Sequence, residues 1–375
     1  MHQRDAAEET SSQPIGGGVP VPEDMSAGPK VVARHDQLET FCVQVLQRLG
    51  VPQEEAEITA RTLVAANLRG VDTHGVTRLP AYAAKLKGGA LKPSVNLTTE
   101  KETIATALLD GHDGIGQVIS YRAMQMAIRK AKEAGVSYVA VKNSNHLGAC
   151  AYYPMMALEY DMIGFTATNA SPRLAPTGGV ERLFGNNPWS IAVPAGRRPP
   201  VVLDMANSVV AAGKIRTLQR EGKPIPEGWA LNKHGEPTTD PAEALKGILL
   251  AIGGYKGYGI ALMVDLLTGV LTDSNFGPRV KGIDQGAEPA GTAHSFMAID
   301  LAAFTDVAAF KARMDAYVDE IKSSKKARGS EVIYLPGEPE HLRLRERMEK
   351  GIPLQAKVVE ELRAIGKDLG VSIGF

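Results

Sequence analysis

Four short apolar runs in the middle of the chain constrain the fold more than any other feature of this sequence. They are VSYVAV from residue 136, IGFTAT from 163, WSIAVP from 189 and PVVLDM from 200, and polar or glycine-rich residues follow each of them. Runs of this length with such flanks are typical of β-strands. Functional side chains concentrate in the loops that a rigid scaffold positions. The pattern predicts a sheet that presents functional groups from the ends of its strands.

Helical periodicity flanks the predicted sheet on both sides. Apolar residues at helical spacing run from Leu38 to Leu49 before Gly50, and a second helix extends from about Pro52 to Leu68 before Gly70. The remaining segments with a regular pattern are helices over 117–134, 258–272, 306–323 and 354–369, and strands at IATALLDG, HSFMAIDL and VIYLPGEPE, the last running into a turn. We therefore expect a mixed α/β fold.

Charge and cysteine content exclude several classes of protein. Lys plus Arg and Asp plus Glu are both 42, and this balance argues against a general nucleic-acid binder, although it leaves a local basic patch open. Cys42 falls on an apolar helix face, where packing is the simpler role, and Cys42 and Cys150 form neither a disulfide framework nor a CxxC metal site. No apolar run approaches the roughly 20 residues of a membrane span, and MHQRDAAEETSSQ is not a secretory signal. We expect a cytoplasmic protein with neither nucleic acid nor membrane as a partner.

The common cofactor motifs are missing from the chain. GHDGIGQ and GGYKGYG have glycines at the wrong spacing for the dinucleotide fingerprint G-x-G-x-x-G. The phosphate loop G-x-x-x-x-G-K-[ST] and the zinc motif HExxH are absent as well, and we expect no metal site. A Rossmann enzyme, a P-loop enzyme and a zincin therefore all lose support.

The segment Asp72-Thr73-His74-Gly75, followed by Arg78, can support alcohol–ketone chemistry. A histidine suits the transfer of a hydroxyl proton at neutral pH, and an arginine can grip a carboxylate with two parallel hydrogen bonds. The same residues also fit a histidine at a helix end and an arginine on the surface. Spacing alone leaves both interpretations open.

Three further segments combine polar groups with glycine or with a strand end. NSNHLGA, residues 143–149, follows a predicted strand and either contacts a ligand or forms a capped strand-to-helix turn. Asp204, in LDMANS, either orients a protonated histidine, as the carboxylate of a triad does, or caps the next helix. GGYKGYG places Lys256 at a helix start, which suits a phosphate or carboxylate, although a flexible helix entry explains it too.

Taken together, the motifs resemble the malate/L-lactate dehydrogenase type 2 family, which includes malate, sulfolactate and ureidoglycolate dehydrogenases, diketogulonate reductase and a cyclic-imine carboxylate reductase. The segments that carry the resemblance occur in the family's order over about residues 36–375. They are RGVDTHGVTRLPAY, NSNHLGACAYY, TNASPRLAPTGG, FGNNPWSIAVP, VLDMANS, GKPIPEGWALNKHGEPTTDP, GGYKGYG and YLPGEPE. Each segment alone is weakly specific for the family, but the eight segments in this order are highly specific for it.

The resemblance implies a non-Rossmann fold, NAD or NADP as cofactor, a small carboxylate substrate and a homodimer with its site near the subunit interface. It implies that His74 transfers the proton, that Thr73 and Asp204 are its polar partners, and that Arg78 binds the substrate carboxylate. His146 is the base in one branch of the family and a cofactor contact in others. The cofactor contacts that the resemblance implies are His146, Leu147, Gly148, Ala149, Cys150, Asp204, Met205, Ala206, Lys256, Gly337 and Glu338.

The same resemblance suggests how the chain is divided. Residues 1–30 lack an apolar period and are predicted to be a disordered tail, for which the family has no counterpart. Residues 31–110 would form a helical part with the His/Arg motif, 111–305 the NAD(P)-binding sheet domain, and 306–375 helices that return to the N-terminal part.

One departure and two alternatives accompany this interpretation. The family usually has Ser where Thr73 stands, so the hydroxyl is kept and a methyl is added. A reductase of a cyclic imine carboxylate would use the same residues. A non-catalytic dinucleotide-binding protein is disfavoured because its catalytic and binding residues are all present, namely His74, Arg78, His146, Asp204 and Lys256.

Overall fold

The computed structural model describes residues 29–283 and 288–375, so nearly all of the predicted tail lies outside the described residues. The helices are α1 His35–Arg48, α2 Gln53–Leu68, α3 Leu79–Lys87, α4 Gly116–Ala134, α5 Tyr152–Met156, α6 Ala212–Arg220, α7 Pro241–Lys246, α8 Tyr255–Asp265, α9 Val307–Ser323, α10 Glu338–Lys350 and α11 Ala356–Leu369. The strands are β1 Lys30–Ala33, β2 Thr98–Glu102, β3 Thr106–Asp110, β4 Val136–Ser144, β5 Met162–Thr168, β6 Trp189–Val193, β7 Val201–Met205, β8 Ala230–Leu231, β9 Ile248–Leu249, β10 Thr292–Asp300 and β11 Ile352–Gln355.

A seven-stranded mixed sheet organises the molecule, in the order β2-β3-β4-β10-β5-β6-β7. The four apolar runs that predicted strands correspond to β4, β5, β6 and β7. Strands β3 and β4 are parallel and connected through α4, whereas the other neighbouring pairs of this sheet are antiparallel. A dinucleotide fold of the Rossmann type has a mostly parallel sheet, so the expected mixed, non-Rossmann architecture is confirmed.

The main hydrophobic core joins the helical part to one face of the sheet. Its fully buried side chains include Leu38 and Phe41 of α1, Leu63 of α2 and Met124 of α4. Cys42, predicted to pack in the core, is also buried there. Burial of a large apolar side chain contributes about 1.5–3 kcal/mol, so this face fixes how α1, α2 and α4 lie against the sheet.

The C-terminal segment returns to the N-terminal helices. Strand β11 pairs antiparallel with β1, and α11 contacts α1 and α3. Strands β2 and β3 belong to the large sheet although they precede residue 111, where we expected the sheet domain to begin. The domain limits themselves stay predictions.

A second, smaller core lies between residues 174 and 261. Leu174, Ile215, Ala230 and Ala261 are fully buried in it, and α6, α7 and the β8–β9 pair surround them. We call the segment between β7 and α8, residues 206–254, the small lobe. It brings α6 close to the helical part, where a Cβ built on Gly213 would lie 3.7 Å from Cγ2 of Thr73.

Two predicted elements are wrong in detail. The segment VIYLPGEPE contains no strand, because main-chain carbonyl oxygens in it accept hydrogen bonds from other elements. The carbonyl of Ile333 accepts from the Lys322 ammonium, and that of Pro336 accepts from the Val202 amide. The helix predicted over 258–272 is α8 followed by a π-helical turn, Leu266–Val270. Side chains of Tyr138 and Ser295 donate to the carbonyl oxygen of Leu267 in that turn.

Neither a membrane span nor a metal cluster is found in the part of the chain that the structure describes. No helix there is long and apolar enough to cross a bilayer. No group of three or more His, Cys, Asp or Glu side chains there is arranged to hold a metal ion.

Candidate active site

Two short 3₁₀ turns, Asp72–His74 and Val76–Arg78, carry the predicted proton carrier and carboxylate ligand. Gly75 joins them at a place with no room for a side chain, because a Cβ built there would lie 2.1 Å from Oδ1 of Asn67. That same oxygen accepts a hydrogen bond from the Val76 amide at 2.8 Å. The buried Asn67 side chain at the end of α2 therefore sets the position of the turn pair.

A salt bridge from α10 holds the start of this segment. The Arg347 guanidinium donates to both carboxylate oxygens of Asp72, at 2.7 and 3.0 Å, and Asn67 donates to one of them at 2.6 Å. A two-pronged arginine–carboxylate pair has fixed geometry. Sequence reasoning missed Asn67 and Arg347, because nothing near Arg347 in the sequence links it to residue 72.

His74 is tied to its neighbours in a way that orients its ring. Nδ1 of His74 and Oγ1 of Thr73 are 3.0 Å apart, and Nε of Arg78 donates to the main-chain oxygen of Thr73 at 2.6 Å. The structure thus brings together the three residues that the sequence placed in one motif. Burial, and then the positive charge of Arg78, lower the pKa of His74 to about 4. The imidazole is neutral at pH 7 and able to accept a proton.

His146 lies beside His74, although it comes 72 positions later in the sequence. The ring centroids are 5.6 Å apart and the ring planes are inclined by 14°. Nδ1 of His146 is 2.8 Å from the hydroxyl of Tyr82, and the Gly148 amide donates to the same nitrogen at 3.3 Å. Burial, with a smaller effect of His74 and Arg78, lowers the pKa of His146 well below its usual value. His146 is therefore a second neutral histidine beside His74.

Tyr82 was not singled out from the sequence, although a signal was present. It falls on α3, four residues after Arg78, and residues at this spacing share one helix face. Its ring centroid is 6.1 Å from that of His146.

The turn that precedes His146 is held by buried polar groups. The Asn145 amide nitrogen donates to the main-chain oxygens of Asp113 and Gly114, and its Oδ1 accepts from the Ala290 amide. The fully buried His294 ring lies within 2.8 Å of both Ser144 Oγ and Thr168 Oγ1. These contacts fix the position of the backbone at His146.

Asp204 lies at the end of β7, as predicted, but its hydrogen-bond partner differs from the expected one. Its Oδ2 accepts from the main-chain amide of Ala151 at 2.9 Å, whereas His74 pairs with Thr73. The surrounding protein raises the pKa of Asp204 to about 6, and the Ala151 amide and Arg69 oppose this rise. The residue keeps access to solvent, which screens part of the effect. A role of Asp204 as the partner of His74 stays a prediction.

The other expected cofactor contacts surround the two histidines and the end of β7. Leu147 and Cys150 are buried, burial raises the pKa of the Cys150 thiol well above its usual value, and Gly148 adopts a φ of 84°. Ala149, Met205 and Ala206 are partly exposed, and Glu338 pairs with Lys322 at 2.6 Å.

Position 337 has no room for any side chain larger than that of glycine. Its φ is 81°, and a Cβ would lie 2.6 Å from the main-chain oxygen of Val202 in β7. The start of α10 therefore packs directly against the strand that ends with Asp204.

Lys256 is exposed in the first turn of α8. The buried residue Asn207 links that helix to β7. Asn207 follows β7, donates to the main-chain oxygens of Asn186 and Asn187, and accepts from the Trp189 indole. Its own carbonyl accepts from the Ile252 amide, just before α8. Asn207 was not predicted from the sequence as a site residue, although it stands inside the quoted segment VLDMANS.

Comparison with known proteins agrees with this architecture. The family described as malate/L-lactate dehydrogenase matches residues 33–363. The chain belongs to this family. Malate dehydrogenase of Pyrococcus horikoshii is 43% identical over 344 residues, which is 90% of this chain and 95% of that protein.

Two solved structures show how similar the folds are. Sulfolactate dehydrogenase of Methanocaldococcus jannaschii has a TM-score of 0.87 and 40% identity, covering 92% of this chain and 98% of that one. Delta1-piperideine-2-carboxylate reductase of Pseudomonas syringae has a TM-score of 0.80 and 27% identity, covering 89% and 99%. The predicted family is confirmed, and the chain is an NAD(P)-dependent oxidoreductase of the hydroxy-acid dehydrogenase class.

Proposed function

We propose that this protein transfers a hydride reversibly between NAD(P) and a small 2-hydroxy or 2-oxo carboxylic acid, with His74 as the proton carrier. The observation that carries the proposal is the juxtaposition of His74, Arg78 and His146, with ring centroids of the two histidines 5.6 Å apart. A neutral base and a fixed cation on one short segment match the two polar groups of such a substrate.

The proton step follows from the bond between His74 and Thr73. Because Nδ1 of His74 faces Thr73 Oγ1 at 3.0 Å, Nε2 is the nitrogen that can reach a substrate hydroxyl. When the alcohol is oxidised, neutral His74 accepts the hydroxyl proton. In the reverse direction, the protonated ring returns that proton to the oxygen of the 2-oxo acid.

Arg78 supplies the recognition of the carboxylate. Its Nε is held by the Thr73 carbonyl at 2.6 Å, which couples the orientation of the guanidinium to the segment that carries His74. A planar guanidinium can bind a carboxylate through two parallel hydrogen bonds. The arrangement keeps the substrate hydroxyl and carboxylate at a fixed separation.

His146 and Tyr82 form the other wall of the site. The Tyr82 hydroxyl, 2.8 Å from Nδ1 of His146, fixes the ring and leaves Nε2 for the substrate or the nicotinamide. We assign the pair a positioning role beside the reacting atoms.

The donor set fits a nicotinamide dinucleotide. The carboxylate of Asp204 can accept from ribose hydroxyls, Lys256 in the first turn of α8 can pair with a phosphate, and Gly148 and Gly337 allow close approach of the backbone. NAD or NADP would supply the hydride acceptor and donor, and these residues would hold it next to His146.

A substrate panel tests the proposal. Purified protein is mixed with NADH or NADPH and with pyruvate, oxaloacetate, 3-sulfopyruvate or a cyclic imine carboxylate, and the loss of reduced nicotinamide is followed by absorbance. Turnover of one or more 2-oxo acids, abolished in Arg78→Ala, is the expected result. Turnover of the imine alone would establish the second candidate, which the similarity to the piperideine-carboxylate reductase favours. No turnover of any of these compounds would refute the proposal.

We further propose that the enzyme is a homodimer that uses the outer face of α8 and its π-helical turn. Large apolar side chains are exposed there at helical spacing, which is unusual for a surface that stays in water. They are Met263, Leu267, Val270 and Leu271, between 46% and 58% exposed, with Ile260 and Leu266 at the margin.

The assembly state of a charged variant tests the dimer. Leu267→Glu should lower the sedimentation coefficient from that of a dimer to that of a monomer. Phe304→Glu, at a side chain that is 70% exposed and lies outside α8 and its π-helical turn, is the matched control and should leave the dimer intact. A wild-type monomer, or a Leu267→Glu dimer, would contradict this interface.

The cytoplasm is the compartment that we propose for the enzyme. The two cysteines, Cys42 and Cys150, are buried and unlinked, which is compatible with a reducing environment. Fractionation of the native cells followed by immunoblotting would test it, and recovery outside the cytoplasm would contradict it.

A further inference from the structure

The hydrogen bonds at Nδ1 of His146 fix where this neutral ring carries its hydrogen. The main-chain amide of Gly148 donates to Nδ1 at 3.3 Å. A main-chain amide nitrogen can only donate a hydrogen bond, so Nδ1 is the acceptor and carries no hydrogen. A neutral imidazole has one donor nitrogen and one acceptor nitrogen. The hydrogen of His146 therefore lies on Nε2.

The second contact at Nδ1 agrees with this tautomer. The hydroxyl of Tyr82 lies 2.8 Å from the same nitrogen, and it must donate because Nδ1 has no hydrogen to give. Burial keeps the ring neutral, since it lowers the pKa of His146 well below its usual value. The nitrogen that can reach a ligand is thus an N–H group and not a lone pair.

The two histidines consequently offer a ligand different groups. His74 is also anchored through Nδ1, which lies 3.0 Å from Oγ1 of Thr73, and the proposed function requires its Nε2 to be unprotonated before the alcohol is oxidised. Nε2 of His146 already carries a hydrogen, so it cannot accept the substrate's proton. When His74 takes that proton, its charge and that of Arg78 keep His146 neutral.

The spacing of the rings lets both histidines contact one oxygen atom. Their centroids are 5.6 Å apart and their planes are inclined by 14°. Two nitrogens that bond the same oxygen at ordinary lengths of ~2.9 Å can be up to about 6 Å apart. The oxygen on the reacting carbon of the substrate can therefore bind Nε2 of His74 and Nε2 of His146 together.

We propose that His146 is a catalytic hydrogen-bond donor, whose Nε2–H binds the oxygen on the reacting carbon of the 2-oxo acid. When the carbonyl carbon accepts the hydride, a C–H bond forms and the electron pair of the C=O π bond moves to the oxygen. The Nε2–H group stabilises the negative charge that develops there, and protonated His74 supplies the proton that completes the hydroxyl. His146 keeps its own hydrogen throughout. This inference rests on the proposed function, since it takes His74 as the proton carrier.

The tautomer of His146 can be observed directly by NMR. The full-length protein, grown with isotope-labelled histidine, is measured at neutral pH, and the signals of His146 are those that disappear in His146→Gln. We expect the nitrogen shift of an unprotonated Nδ1 and of a protonated Nε2. The same pattern is expected in Tyr82→Phe, which retains the Gly148 amide. The reverse pattern in either protein would overturn the proposal.

Two substitutions of His146 test the effect of the donor on catalysis. The side-chain amide of glutamine keeps an N–H donor, whereas leucine has none. Removal of one donor to a developing oxyanion costs about 100-fold or more in kcat, so His146→Leu should lose at least that much with a 2-oxo acid. His146→Gln should retain about 10-fold more activity than His146→Leu, because one hydrogen bond can still form.

Two further measurements on these variants exclude a structural effect and a role with the cofactor. The Kd for the reduced cofactor should stay within about 2-fold of the wild type in both, because the donor acts on the substrate oxygen. The pH dependence of kcat in His146→Gln should keep its wild-type shape, because His74 still titrates. Thermal unfolding verifies the fold, and if His146→Leu does not fold, the NMR pattern and the pH profile of His146→Gln decide the outcome.

The outcomes separate the donor from the proposed function. An active wild type, with kcat equally low in His146→Gln and His146→Leu, would overturn the donor and leave the dehydrogenase in place. A large rise in cofactor Kd in both variants, with kcat retained at saturating cofactor, would also overturn it, because Nε2–H would then bind the nicotinamide. A wild type that turns over no 2-oxo acid would overturn the proposed function and the donor with it.

Discussion

The fully buried His294 gives a quantitative test of how the site is held together. Burial lowers the pKa of this histidine from 6.5 to about 3. As the pH falls below 6.5, the unfolded chain binds a proton at this position and the folded chain does not, so folding stability is lost with acid. The loss is about 1.4 kcal/mol per pH unit for one proton. Between neutral pH and about pH 4.5 it therefore amounts to ~2.7 kcal/mol.

The variant His294→Gln removes the titrating group and can keep a hydrogen bond to Ser144 or Thr168. Urea unfolding, followed by circular dichroism at fixed protein concentration between about pH 7.5 and about pH 4.5, gives the free energy of unfolding of both proteins. The advantage of the wild type over the variant should shrink by ~2.7 kcal/mol across this range.

The exposed His234 provides a matched control, because His234→Gln should run parallel to the wild type. A difference between wild type and His294→Gln that stays constant with pH would refute the argument. It would mean that His294 is not held neutral between β4 and β5.

Three further predictions concern single contacts. Arg78→Lys keeps the charge but loses the planar guanidinium, so kcat/KM for 2-oxo acids should fall at least ~10-fold in steady-state kinetics. Equal activity of the wild type and the variant would mean that Arg78 has only a structural role. Lys256→Ala should raise the Kd for NADH or NADPH in a fluorescence titration, whereas the exposed Lys233→Ala should not, and unchanged binding by both would contradict the assignment. Gly337→Ala places a Cβ 2.6 Å from the Val202 oxygen at a φ of 81°, so it should lower Tm in calorimetry, and an unchanged Tm would contradict the packing of α10 on β7.

The sheet and its flanking helices could be predicted from the sequence because their signals are local. Each of the runs at residues 136, 163, 189 and 200 is apolar over a strand's length and ends in polar residues. The short elements had no such signal. Strand β11, for example, forms because Ile352 and Leu354 pair with β1 at the other end of the chain. Pairing over that sequence distance is not encoded in any local pattern.

In the candidate site too, local motifs could be predicted from the sequence and tertiary contacts could not. Thr73, His74 and Arg78 are neighbours in the sequence, and their motif could be interpreted before the fold was known. The contact of Tyr82 with His146 and the Arg347–Asp72 pair depend on tertiary structure, so their partners could not be predicted from local sequence patterns. Asp204 was correctly predicted at a strand end, but its bond to Ala151 comes from the packing of the 146–151 loop against β7.

The rate of hydride transfer in His74→Ala shows whether His74 carries the proton, as we propose. With cofactor and 2-oxo acid both saturating, single-turnover measurements should show a rate at least ~100-fold below that of the wild type. The Kd for the reduced cofactor, determined by titration, should stay within about 2-fold of the wild type, because His74 acts on the substrate oxygen. A near-wild-type rate in His74→Ala, with the large loss appearing instead in His146→Ala, would refute this assignment and make His146 the proton carrier.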